Sequence, residues 1–444
     1  MAEQFFVCFQ SDVLKNRFLE MQKLLMQSFG PIKKVEMQIN DIIILNGLQS
    51  SGKSTISKAI YFFKSIPELV FNDFLVRTDR IKDLNKSLVI ACRKQLVAIF
   101  GTTKHMKDFK LYYDYGNGVN VTITPEKNSG HARIKFSPTL LQRLNEIAVD
   151  LDRSDKYLSN TVGSHTSIYQ IERFNRGIKA RSEIYSTFND QRENHFIPAG
   201  RTLASTLSEE LRGVESYQID ALTKSFVERI LSMRESFNKS FDEIVDDKKK
   251  LTTDPIDFKR VKLAIKIIEK ILQGQYKWVQ GEERIELDEN DYVKIKFSSS
   301  GQQESLWILL TIFQLILDNK PAFTVVEEPE AHLYPLTQYE IVKLLCLYAA
   351  IPEQQMVITT HSPYVMSSLN NHLLANEIGQ NNEKVATVID PKCWLDERRV
   401  SAYFVEKGTI TDIFDRDEGM IDPSCIDRAS FTINEDFDRL LDME

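Results

Sequence analysis

Gly47-Leu48-Gln49-Ser50-Ser51-Gly52-Lys53-Ser54 fits the pattern G-x-x-x-x-G-K-[ST], and the branched residues Ile42 to Leu45 before it read as a buried parallel strand. In such a loop the glycines let backbone N–H groups turn inward around phosphate oxygens, and the following helix, Ser54 to Phe63, adds its positive end. The loop is therefore expected to bind a nucleotide through Gly47, Gln49, Ser50, Ser51, Gly52, Lys53, Ser54 and Thr55. Lys53 would neutralise the β- and γ-phosphates and Ser54 would place its hydroxyl on Mg²⁺, while Thr55 is the second, structural hydroxyl of the turn. The strand before and the helix after set the loop apart from a chance match of eight residues.

Near the C-terminus, Phe323-Thr324-Val325-Val326-Glu327-Glu328-Pro329-Glu330 reads as a second buried strand that ends in carboxylates, the form of a Walker B strand. In a doubly wound sheet it is expected beside the phosphate-loop strand, delivering acids to the C-terminal edge where ligands bind. Glu327 would hold Mg²⁺ through water, and Glu328 would polarise the attacking water as general base. A charged loop after a strand would explain Pro329. It would not explain two adjacent acids in a chain that already carries a phosphate loop.

Ser298-Ser299-Ser300-Gly301-Gln302-Gln303-Glu304 precedes an apolar helix, Leu306 to Leu317. Small hydroxyls and a glycine at a helix N-terminus suit a terminal phosphate, because backbone N–H groups and the helix dipole both point at it. The same residues also make an ordinary N-cap, with Ser300 capping and Gln303 three residues on, and taken alone that plainer reading holds. Met356-Val357-Ile358-Thr359-Thr360-His361-Ser362-Pro363 is a strand running into a histidine. A neutral imidazole there both donates and accepts a hydrogen bond, so His361 is placed at the γ-phosphate. A lone histidine is more often a bland surface residue; this one follows the next strand after the paired acids.

The order phosphate loop, S-S-G-Q-Q-E, E-E-P-E-A-H-L-Y-P and T-T-H-S-P-Y resembles the OLD-type branch of the ABC ATPases, AAA-family relatives of RecF and SMC heads. The resemblance spans both ends of the chain. It implies an α/β fold: an ABC-type P-loop ATPase head with a mixed sheet, plus an inserted helical and β lobe. It also implies a head-to-head dimer, in which Ser299, Ser300, Gly301 and Gln302 of one subunit close over ATP held by the other. Glu330 to Leu333 would be the dimer-contact loop, with His332 facing the partner. His195-Phe196-Ile197-Pro198-Ala199-Gly200-Arg201 also resembles a family segment in which the arginine follows an inner strand, and this puts Arg201 near the nucleotide; a structural helix-entry arginine is an equal alternative. The chain departs from transporter-like ABC proteins in carrying Glu327 where aspartate is usual, and no Q-loop glutamine is evident.

Composition sets bounds. With 444 residues, 42% hydrophobic and 27% charged, the chain reads as an ordinary globular protein of two or three lobes. Cys8, Cys92, Cys346, Cys393 and Cys425 are scattered without metal-like pairs or the density of a disulfide scaffold, which suggests a reducing, cytoplasmic setting. No apolar run reaches the roughly 18 to 20 residues that span a membrane, and the N-terminus lacks a charged leader before an apolar stretch. A membrane-embedded transporter subunit is therefore not expected, although a soluble ATPase that docks on one is not excluded. The formal charge of −7 argues against a surface coated for non-specific DNA binding. Lys248-Lys249-Lys250 and the Lys259, Arg260, Lys262, Lys266, Lys270 series are the densest basic clusters, but Asp246, Asp247, Asp254 and Asp257 sit among them, and a solvated helical face is the expected meaning.

Read for organisation, residues 1–65 form the N-terminal part of the head, 66–190 an inserted β-meander and helical region, 191–290 a helical arm with return strands, 291–380 the C-terminal part of the head, and 381–444 a β-hairpin and acidic helix. Gln4 to Gln10 and Val35 to Asn40 read as strands. Phe109 to Tyr115, the turn Gly116-Asn117-Gly118 and Val119 to Thr124 read as a hairpin, and Ala132 to Phe136 as a further strand. Helical patterns cover Leu140 to Val149, Thr166 to Ser186, Leu203 to Asp246 and, opened by Pro255, a segment to Leu272. Strands are expected around Lys384 to Ile389 and Val400 to Phe414. His105, His131, His165 and His372 have no ligand-like spacing and read as surface or structural residues.

Glu406 with Asp415-Arg416-Asp417 mimics the acidic parts of a Toprim nuclease site, which OLD enzymes carry after the ATPase. Two-metal phosphodiester cleavage needs converging carboxylates, and a parallel crossover between the strands that carry them takes a dozen or more residues. The spacing here is too short, and Lys407-Gly408 reads as a hairpin turn. The function expected is therefore an ATP hydrolase that uses ATP and Mg²⁺, working as a dimerisation switch. By resemblance it is a sensor or regulatory subunit of bacterial anti-phage defence that controls a separately encoded nuclease or toxin. The alternative is a RecF-like DNA-repair clamp, in which nucleic acid is a partner.

Overall fold

The computed structural model describes residues 21–77, 79–126, 130–161, 167–203, 220–252, 256–288, 291–422 and 428–443. The expected strand Gln4 to Gln10, together with Cys8, His165, Pro255 and Cys425, lies outside them. In chain order the elements begin β1 Lys23–Phe29, β2 Ile32–Gln38, β3 Ile42–Asn46, α1 Lys53–Val76, α2 Leu84–Phe100, β4 Lys110–Gly116, β5 Val119–Pro125, β6 Ala132–Phe136, α3 Pro138–Thr161, α4 Ser167–Thr187 and β7 Glu193–Ile197. They continue α5 Ala221–Arg234, α6 Phe241–Leu251, α7 Phe258–Leu272, β8 Gln275–Val279, β9 Glu282–Glu286, β10 Tyr292–Lys294, α8 Ser300–Asp318, β11 Ala322–Glu327, α9 Pro335–Ala349, β12 Gln355–Thr360 and α10 Pro363–Gly379. The chain ends with β13 Val400–Glu406, β14 Thr409–Asp412, β15 Phe414–Asp415, β16 Met420–Ile421 and α11 Arg428–Leu441. The chain divides into two compact units.

The first unit comprises Met1–Asn40, Thr55–Asn194 and Lys407–Ile410. Its strands run in the order β6-β5-β4-β1-β2, antiparallel throughout, and Thr409 pairs with Lys34 at the β2 side. Burial alternates along β5 and β6, as expected of a sheet with one face in a core. The expected hairpin is present: Asn117 and Gly118 take φ of 53° and 75°, the left-handed pair that a two-residue turn requires. The buried face is aromatic. Phe63 stacks on Tyr113 at 5.0 Å, and the Tyr115 hydroxyl donates to Phe63 O at 2.6 Å.

The second unit comprises Asp41–Ser54, His195–Glu406 and Thr411–Glu444. Its strands run β13-β3-β12-β11-β7, with β13, β3, β12 and β11 mutually parallel. Every residue of β3, β11 and β12 is buried, which is why these strands read as unbroken apolar runs rather than alternating ones. Two expectations are corrected here. The strand that ends in Glu327 is not beside β3, because β12 lies between them. And β7, which precedes Arg201, is the last strand in the order rather than an inner one. Apolar content marks a strand as buried but is indifferent to which buried strand is its neighbour. Helix α8 is buried almost all round and packs against α7 and α9 in one apolar cluster that includes Trp307, Phe313, Ile268 and Leu345.

α7 buries Val261, Ala264, Ile267, Ile268, Ile271 and Leu272, and its lysines fall on the other face. Lys248 pairs with Asp318, Arg260 with Asp257 and Lys270 with Glu340, so these members of the basic clusters are balanced by acids. The segment around Lys384 to Ile389 is not a strand. Asn382 accepts a hydrogen bond from Lys384 N and starts a short 3₁₀ helix, Glu383–Thr387, none of whose residues is buried. Lys407 and Gly408, with φ of 49° and 78°, make the tight turn between β13 and β14, so the chain reverses directly after Glu406. Cys92, Cys346 and Cys393 are buried thiols. Among the described residues no helix is long and apolar enough to cross a membrane.

Candidate functional site

Register aligns the site. Leu45 on β3, Thr359 on β12 and Glu327 on β11 form one level row across three parallel strands. The residues just beyond that row, Gly47, His361 and Glu328, therefore leave the sheet at a common carboxyl edge, the usual ligand-binding edge of such sheets.

At β3 the chain turns into the 47–54 loop. Asn46 Oδ1 accepts Gly47 N at 2.8 Å, and a Cβ on Gly47 would meet Val405 O on β13 at 2.3 Å, so only glycine passes that strand. Gly47, Ser50 and Gly52 have φ of 149°, 59° and 113°, so the loop turns tightly through positive backbone angles, and Ser51 N donates back to Leu48 O at 3.3 Å. Lys53, at 5% exposure, donates to Gly47 O at 2.8 Å and to Leu48 O at 2.9 Å. Desolvation pulls its ammonium below the ordinary lysine range, against the opposing pull of Glu328, Glu330 and Glu327. Ser51 Oγ is buried without a partner among the described residues. A tight loop at a helix N-terminus, a buried ammonium and a buried hydroxyl oxygen without a partner among the described residues fit a nucleotide phosphate, and Ser54 with the buried Glu327 fits the few protein ligands that Mg²⁺ takes beside phosphate oxygens.

At β11 the backbone of Glu328 is left-handed, with φ 43°, and its N–H donates to Thr359 O at 2.9 Å. Glu330 is buried; its Oε1 accepts Thr360 Oγ1 at 2.7 Å and His361 N at 2.8 Å, while Oε2 has no partner among the described residues. His361, with its side chain half exposed, places Nδ1 3.4 Å from Glu330 Oε1 and 4.0 Å from Glu328 Oε1. Lys53, the paired acids and His361 thus come together at one edge. Glu330, expected at the start of a dimer-contact loop, is instead a buried part of this edge; Thr359, Thr360 and Val405 also belong to it and were not assigned from sequence, the threonines lying within a quoted motif although β-strand hydroxyls give no signal of their own.

The turn before α8 is capped one residue earlier than expected. Ser299, not Ser300, is the N-cap: its Oγ accepts Gln302 N at 3.3 Å, and Gln302 Oε1 accepts Ser299 N at 3.1 Å in a reciprocal box. Gln303 instead donates to Ile295 O and Ser298 O. Ser299 and Ser300 are exposed, and a Cβ on Gly301 would lie 3.0 Å from His332 O, so this turn packs on the loop after the paired acids. Arg201 is fully buried, and its guanidinium is spent on main-chain carbonyls, including those of Glu327 and Glu328. This agrees with the structural alternative and not with a nucleotide contact.

A family model described as AAA ATPase domain matches residues 20–366. No curated protein matches the chain. Among solved structures the chain is similar to the SmcHead bound to the C-winged helix domain of ScpA (14% identity, 88% of this chain and 96% of that one, TM-score 0.40). It is similar to the SMC head domain from Thermotoga maritima (12%, 89% and 98%, 0.35). It is also similar to the recombination mediator protein RecF-ATPrS of the RecFOR pathway (10%, 88% and 98%, 0.33).

Proposed function

The chain belongs to the AAA ATPase domain family, and we propose that within it the protein is an ABC-class, OLD-like ATP hydrolase that works as an ATP-driven dimerisation switch. The observation that carries this reading is the level row of Leu45, Thr359 and Glu327, which delivers the 47–54 loop, His361 and Glu328 to one edge. Lys53, Ser51 and the loop N–H groups bind the phosphates. Ser54 and, through water, Glu327 would hold Mg²⁺, which when bound would offset phosphate charge. Glu328 takes the proton of the attacking water, and His361, steadied by Glu330, orients the terminal phosphate.

Closure by a second copy is supported by what surrounds this edge. Leu48 (66% exposed), Phe297 (74%), Tyr334 (72%), Leu336 (72%) and Tyr364 (53%) lie in or next to the site segments in sequence, exposed apolar side chains that a second copy would cover. In that closure Ser299, Ser300, Gly301 and Gln302 meet nucleotide held by the partner copy, and exposed His332 faces it. The resemblance to the OLD-type branch extends the proposal to anti-phage defence, with the switch governing a separate nuclease or toxin.

Glu328→Gln tests both levels. It is expected to keep ATP and lower kcat by about 100-fold or more, accumulating an ATP-bound dimer seen by sedimentation. A wild-type rate in that variant removes the hydrolase reading. Purified with ATP, Mg²⁺ and its co-expressed neighbours, the variant is expected to retain a stoichiometric nuclease or toxin. Recovery of DNA and no protein would replace the effector reading with a repair-type clamp.

A further inference from the structure

Arg201 is 1% exposed, and its guanidinium donates to four carbonyls: Pro198 O at 2.7 Å, Glu327 O at 2.6 Å, Glu328 O at 2.9 Å and Glu304 O at 2.9 Å. Four of its five N–H donors are thereby committed to the main chain. Glu304, buried in the first turns of α8, answers through its carboxylate, which accepts Arg201 N at 3.0 Å, Thr202 N at 3.0 Å and Thr202 Oγ1 at 2.6 Å. One side chain therefore ties α8, which begins at the exposed Ser300, to the end of β11.

The residue so held is the unusual one. A non-glycine residue in the left-handed region costs of order 1 kcal/mol or more and persists only where its surroundings over-determine it. Glu328, at φ 43°, is held from both sides: its N–H by Thr359 O and its carbonyl by Arg201. Its carboxylate, in contrast, is partly exposed. The direction of that carboxylate follows from the peptide planes on either side of it, and those planes are what Arg201 fixes.

We propose that Arg201 is a positioning residue for Glu328, anchored by Glu304, which holds the left-handed backbone so that the carboxylate is aimed at the attacking water. The inference rests on the reading of Glu328 as general base. A misplacement of about 1 Å at a reacting group costs up to about 100-fold in rate. Arg201→Lys keeps the charge but cannot reach four carbonyls, so it is expected to lower kcat about 30-fold while ATP affinity stays within about twofold.

A double-mutant cycle provides the test, with single-turnover hydrolysis of labelled ATP and separate binding titrations. If Arg201 acts through Glu328, Arg201→Lys lowers the residual rate of Glu328→Gln by less than about twofold. Equal losses in the two backgrounds, an affinity loss that tracks the rate, or no loss in the wild-type background would each overturn the proposal. If Arg201→Lys does not fold, Glu304→Gln decides by the same cycle, with an expected loss of about fivefold in the wild-type background alone. A full rate in Glu328→Gln itself would identify failure of the base reading and take this inference with it.

Discussion

Lys53 shows what one residue contributes before any partner is considered. Its ammonium is buried and already shares two loop carbonyls, so the loop is shaped around it, and the three nearby glutamates offset part of the cost of its desolvation. Charge-assisted bonds to phosphate are worth about 1.5–3 kcal/mol each, so Lys53→Ala is expected to weaken ATP binding by about 100-fold, measured by titration with a fluorescent analogue. Equal affinity would remove the phosphate-loop assignment. Ser50, Glu328 and His332, with φ of 59°, 43° and 59°, are non-glycine residues in the left-handed region, and all three lie on loops of the candidate site. Their identities were legible in the motifs. Their strain was not, because a serine or glutamate carries no mark of the backbone angle that its neighbours impose.

At the scale of elements, the strands were legible and their neighbours were not. Apolar runs marked β3, β11 and β12, but the insertion of β12 between the other two depends on crossovers through whole helices. The placement of β13 against Gly47 likewise depends on a segment some 350 residues away in sequence. Lys384 to Ile389 shows the opposite failure: a short, mildly apolar stretch reads as a strand until a single asparagine side chain turns it into a 3₁₀ helix. The first turn of α8 is the element on which the dimer proposal depends. Ser300 is exposed there and its side chain is not the cap, so Ser300→Arg is expected to leave the fold and monomer ATP binding unchanged while blocking closure. Sedimentation with ATP in the Glu328→Gln background checks it. ATP-dependent dimers at the wild-type level would defeat the proposed role of this turn.

For the whole molecule, two buried histidines set an acid limit on stability. His195 accepts from Arg229 at 2.5 Å and is pulled down to about 3 by desolvation and then by that guanidinium; His372 donates through Nδ1 to Cys393 O and is pulled down to about 4, chiefly by desolvation. Each binds a proton more readily when unfolded, so their stabilisation is present above the ordinary histidine range near 6.5 and is lost as the pH falls below it, by about 2 kcal/mol each at pH 5. Glu283, raised to about 6 by burial, opposes this, offsetting about 1 kcal/mol at pH 5. Thermal unfolding is therefore expected to occur at a lower temperature at pH 5 than at pH 7.5, and His195→Gln to reduce that difference; equal midpoints at the two pH values would contradict it. The sequence by itself determined the 47–54 turn, the paired acids after β11, the buried character of β3 and β11 and the hairpin that ends β13, because each is written in adjacent residues whose local chemistry admits few backbones. Only the tertiary structure decided strand order, the left-handed Glu328 and the burial of Arg201 against Glu304, because these arise from contacts between segments whose sequences carry no record of one another.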